Sequence, residues 1–151
     1  MAIVTLGELL DRAAEFERLL EHTYETLRDE SQDGGVRLLT YYLSRHRWHL
    51  QQALDTFEYE QVGRIRKVRL KHDIPFDPGK DSALVNAAPG EVTGRLLLEA
   101  AVGHDQRLVD LYRSILNQPV GEEAQAFLEA LVRLEESDMI MLKKMIAMDY
   151  F

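Results

Sequence analysis

The chain has 151 residues, a formal net charge of −8 and no cysteine. A single domain of this length buries roughly 70% of the surface its unfolded chain exposes, so it holds a core without staples. Disulfides, zinc–thiolate sites, iron–sulfur clusters and thiol nucleophiles are excluded, and the acidic balance argues against nucleic acid as a partner.

Met1-Ala2-Ile3-Val4-Thr5 has neither a basic region nor a long apolar stretch, so no signal peptide is expected. No run approaches the ~18 apolar residues of a membrane span. With the missing cysteines, this sets the expectation of a cytoplasmic protein without a membrane partner.

Helical periodicity picks out four segments. The first runs from about Leu6 to Glu30, with Thr5 placed to cap it and Glu8 three residues on in a capping-box pattern. Asp33-Gly34-Gly35 breaks the chain. The second runs from Val36 to about Glu60, or on to Lys71. The third runs from about Glu91 to Asn117, opening after Pro89-Gly90 and ending before Pro119. The fourth runs from about Gly121 to Met148. Short turns join the first pair and the last pair, as in antiparallel hairpins. The stretch of about 72–90 is long and turn-rich, from Ile74-Pro75-Phe76-Asp77-Pro78-Gly79 to Ala88-Pro89-Gly90. Two hairpins joined by one long crossover give the expected fold: an all-α, antiparallel, ferritin-like four-helix bundle in one domain.

Arg64, Arg66, Lys67, Arg69 and Lys71 form a basic run before the crossover. A solvated helix end, favourable near the C-terminal dipole, accounts for it better than a phosphate site, since aromatic interleaving is absent. There is no phosphate-cradling glycine loop and no Gly-x-Ser-x-Gly elbow.

At about 100° per residue, each helix projects an apolar seam interrupted by one ionisable residue. Glu17 falls among Ala13, Phe16, Leu20 and Tyr24. His46 falls among Leu39, Leu43, Leu50 and Ala53. His104 falls among Leu97, Ala101, Leu108 and Leu111, and Asp138 among Leu131, Leu134, Met141 and Met145. Burying a lone charge is costly, so one such group per helix, at similar depth, points to a shared site. His49 lies one turn from His46, Glu135 one turn before Asp138, and Asp105 adjoins His104.

These motifs resemble the ferritin and rubrerythrin-like superfamily, in which two helices each give a Glu and two each give a Glu-x-x-His pair. Glu17 with Tyr24 seven residues on resembles the first ligand helix. Asp105 with Tyr112 seven on resembles the third, with His104 or Asp105 at the ligand position. His46-Arg47-Trp48-His49 and Glu135-Glu136-Ser137-Asp138 stand where the pairs belong. The resemblance implies a degenerate core site for a single iron, manganese or zinc ion, with Glu17, His46, His49, His104, Glu135 and Asp138 as ligands. His46 does not bridge metals as a carboxylate does, Asp138 replaces a nitrogen ligand, and no catalytic residue is assigned. The alternatives are a metal-free cluster in which histidines and carboxylates satisfy each other, and a rubrerythrin-like oxidase or peroxidase.

A second expectation concerns partners. Tyr41, Trp48 and Tyr59 fall opposite the seam of the second helix, and Leu98, Val102, Val109 and Leu116 form a side stripe on the third. Together they point to a homodimer through helix faces. Tyr24 and Tyr112 read as core aromatics. Met139, Met141, Met145 and Met148 read as core filler or interface.

Overall fold

The computed structural model describes residues 4–46, 49–77 and 82–149, with the side chains of 45–49 and 83 outside that description. The described residues hold seven α-helices and no strand: α1 (Leu6–Glu30), α2 (Gly34–His46), α3 (His49–Asp55), α4 (Tyr59–Arg66), α5 (Ala83–Asn86), α6 (Gly94–Leu116) and α7 (Glu122–Ala147). No described helix is long and apolar enough to cross a membrane.

Local chemistry sets the helix ends. Thr5 Oγ1 accepts from the Glu8 N–H at 3.2 Å and starts α1, and Thr93 Oγ1 does the same for Leu96 at 3.1 Å in α6. Gly121 precedes α7 with φ +87°, a conformation that favours glycine. The expected second helix is interrupted after α3. After α3, the Thr56 and Phe57 amides bond back only three residues, to Ala53 and Leu54. Thr56 Oγ1 also donates to the Ala53 carbonyl at 2.8 Å, which tightens the turn. Helix restarts as α4, with the Glu58 amide capped by Gln61 Oε1 at 3.0 Å.

The core runs through α1, α6 and α7. Leu6, Leu9, Leu97, Leu98, Phe127, Leu128, Leu131 and Leu142 are wholly enclosed, each burial contributing roughly 1.5–3 kcal/mol. Leu98 and Val109, expected on a free stripe, are buried within the chain. On α7 the inward face is turned from the expected one: Met139 and Leu142 are buried, while Met141 is 50% exposed.

One end of the molecule is stitched by the segment after α4. Thr5 and Arg69 form an isolated antiparallel bridge, with Leu6 N donating to Val68 O and Leu70 N to Val4 O, both at 2.8 Å. Arg66 reaches Asp11 near the start of α1 at 3.0 Å. Arg64 reaches Glu123 at the start of α7 at 2.8 and 2.9 Å. Gln118, in the α6–α7 turn, accepts from the Lys71 and His72 amides and donates to the His72 carbonyl. Two members of the basic run are therefore spent on ion pairs between elements.

From this end the chain crosses over along α1 and α6. Arg12 bonds Asp73 at 2.8 Å and the Ile74 carbonyl at 3.1 Å. Phe76 meets Phe16 edge-on at 5.7 Å. Short α5 packs on α6 and α1, with Leu84 only 1% exposed. A 3-10 turn at Pro89–Glu91 lies against α1 before α6 begins.

Candidate functional site

A small cavity of about 20 Å³ sits in the core. It has room for about one water-sized guest. Glu17 of α1, Asp105 of α6, and Glu135 and Asp138 of α7 line it, with Leu43 of α2 on the far wall. The helical register explains the convergence. Glu17 is one turn from Ala13 and Leu20, and Asp105 one turn from Ala101 and Leu108. Glu135 continues the buried row of Leu128, Leu131, Met139 and Leu142. Side chains three and four apart share a face.

Glu17 and Glu135 are almost fully buried. Asp138 lies at the edge of its face, so Glu135 takes the central place on α7 that the sequence pattern assigns to Asp138. Asp105 is intermediate as a whole residue, but its Oδ2 is enclosed. Burial pushes its carboxyl well above the usual range, a hydrogen bond with Asp138 adds to this, and so do the charges of Glu135 and Asp138. Crowded carboxylates hold a proton rather than ionise together.

Two tyrosines feel the cluster. Tyr112, on α6 and wholly buried, is raised well above its usual range by burial, then by Glu135, Glu17 and Asp105. Its hydroxyl has no hydrogen-bond partner among the described residues. Tyr42 of α2 is raised by burial and by Asp138.

His104 does not line this cavity. Its Nε2 lies 2.9 Å from Ser82 Oγ of the crossover, and its ring meets Phe16 edge-on at 5.5 Å. Burial, with Arg107 nearby, lowers it to about 4. One step round α6, about 100°, decides that Asp105 and not His104 faces the cluster. His46 ends α2 one turn beyond Leu43, and His49 opens α3; their side chains lie outside the described residues, as does Trp48.

The structure thus brings together Glu17, Glu135 and Asp138 of the expected ligands and adds Asp105, which the sequence marked only as the alternative to His104. Oxygen donors of this type suit a hard or borderline cation. Their spacing does not complete a ligand set: among the described residues no group of three or more His, Asp or Glu is arranged to hold a metal ion.

A wider groove of about 810 Å³ between α1 and α4 shares no residue with this cavity. Its charges are mixed, with Glu8, Asp11 and Glu60 facing Arg64, Arg66 and Lys67.

Fold and site define an all-helical protein with an acidic cluster enclosed in its core. Comparison with protein-family models, curated proteins and solved structures finds no match.

Proposed function

We propose that the chain is a ferritin-like helical bundle whose core carboxylates take up a single cation. The bundle reading rests on the path of the chain. Residues 64–72 bind the starts of both α1 and α7 at one end, and a long crossover then joins the α1–α2 pair to the α6–α7 pair. Two hairpins joined by one crossover is the path such a bundle requires.

The carrying observation is the convergence of Glu17, Asp105, Glu135 and Asp138, from three helices, on one small cavity. A buried acidic group held neutral by a proton is a place where a cation can replace that proton. The carboxylates would supply oxygen donors. The other expected donors, His46 and His49, have side chains outside the described residues, and iron, manganese and zinc are the ions to test against the carboxylates. Binding would require these side chains to rearrange, since as they stand no group of three or more is arranged to hold an ion among the described residues. No turnover is assigned to the site.

Metal analysis of protein purified without chelator tests this, together with melting curves in added Mn²⁺, Fe²⁺ or Zn²⁺. A ligand of the native state raises its melting temperature. Binding near one equivalent, weakened by Glu135→Gln, supports the reading. Less than about a tenth of an equivalent, with no thermal gain from any of the three ions, overturns it.

A second reading, a homodimer through helix faces, is favoured by exposed apolar side chains. Tyr59 is 93% exposed, Leu38 74% and Tyr41 56%, the last with Arg28 over its ring at 5.1 Å. Sedimentation decides it: a monomer at high micromolar concentration counts against a dimer.

A further inference from the structure

The crossover touches α1 and α6 at two residues whose chain neighbours are cluster acids. Phe16 meets both Phe76 and the His104 ring, at 5.7 and 5.5 Å, and Glu17 follows it. His104 takes Ser82 at 2.9 Å, and Asp105 follows it. On a helix, consecutive side chains diverge by about 100°. Each helix therefore turns one residue to the crossover and the next to the cavity, on a backbone too stiff to move them independently.

We propose that the crossover is a positioning strap for the core site: Phe76 and Ser82, acting through Phe16 and His104, set the roll and spacing of α1 and α6 that hold Glu17 and Asp105 against Glu135. This rests on the cation reading above for its functional meaning.

Three features support it. The grip is buried, with Phe16, Ser82, Leu84 and His104 all at 7% exposure or less. It is anchored at its base, because Ser82 Oγ also accepts the Val85 N–H at 3.3 Å. It is also braced on the crossover side, where the Asn86 side chain donates to the Ser82 carbonyl at 3.0 Å. Outer-shell groups that orient ligand-bearing residues commonly change metal affinity by about 10–100-fold when removed.

The test uses the full chain and Mn²⁺ as probe, read by electron paramagnetic resonance and calorimetry. Ser82→Ala and Phe76→Ala should each weaken Mn²⁺ binding on the order of tenfold and broaden its spectrum. Ser82→Thr should restore it. Asp73→Ala, which breaks only the solvent-facing pair with Arg12, should leave affinity within about twofold. Equal affinity in wild type, Ser82→Ala and Phe76→Ala overturns the strap. So does a loss of binding that Asp73→Ala shares.

Hydrogen exchange on the metal-free protein separates the two claims. Ser82→Ala should speed exchange of amides 13–20 and 101–108, around the two acids, as well as 82–86. If wild type binds no Mn²⁺ yet exchange rises at both helices, the cation reading fails and the strap stands. A rise confined to 82–86 overturns the strap whether or not Mn²⁺ binds.

Discussion

Ser82 Oγ sits 2.9 Å from His104 Nε2, in a buried hydrogen bond between the crossover and α6. Protonating the ring puts a charge in this buried place, beside Phe16.

Acid should therefore loosen the fold through His104. Its pKa is lowered to about 4 in the native state, against about 6.5 unfolded. Stability from the neutral ring is fully present above about pH 6.5 and is lost as pH falls through about 4, because the unfolded chain binds the proton first. The loss is on the order of 3 kcal/mol. Urea melts from pH 7 to 4 on wild type and His104→Gln should differ in slope, with the variant flatter. Parallel slopes would refute the assignment.

Asp105 has the opposite sign. Its raised pKa favours the protonated carboxyl in the fold, so its contribution is present at low pH and lost as pH rises through that value. In chelated protein, Asp105→Asn should stabilise at pH 8 by on the order of 1 kcal/mol, relief from burying a crowded charge. The gain should vanish near pH 4. A variant less stable than wild type at pH 8 would mean that the carboxylate is compensated there.

Two glycines should answer alanine in opposite directions. A Cβ on Gly7 would lie 2.9 Å from the Arg66 carbonyl oxygen and 3.1 Å from Arg66 Cβ. Gly7→Ala should cost roughly 1–3 kcal/mol through forced displacement. A Cβ on Gly103, within α6, meets nothing within 4 Å, so Gly103→Ala should gain roughly 0.5–1 kcal/mol from helix propensity. Thermal melts of the pair check the docking of α4 on α1, and equal shifts would argue against it.

Tyr112→Phe removes a buried hydroxyl that has no hydrogen-bond partner among the described residues. The metal-free variant should be as stable as wild type or more so, by up to about 1–3 kcal/mol. Destabilisation beyond about 1 kcal/mol would show that the hydroxyl is satisfied in solution.

Much of the helix layout was legible in the chain because its signals are local. Thr5 before Leu6, Pro89-Gly90 before α6 and Gly121 before α7 act through their own backbone, and those boundaries fall within a few residues of expectation. The break between α3 and α4 was not legible. The apolar period continues through Ala53, Leu54 and Phe57, while the end of α3 depends on Thr56 turning its hydroxyl back to Ala53.

By itself, the sequence determined a cysteine-free, acidic, helical chain and the presence of ionisable groups on its apolar stripes. Only the tertiary structure decided which of them meet. His104 and Asp105, like Glu135 and Asp138, lie on overlapping arcs of their helices, and periodicity alone does not choose within an arc. The choice comes from the roll of each helix, set by packing across helices and by the crossover's hold on Phe16 and His104. That roll turns Asp105 to the cavity and centres α7 on Glu135, because the enclosed row of Leu128, Leu131 and Leu142 buries more apolar surface than the row through Met141.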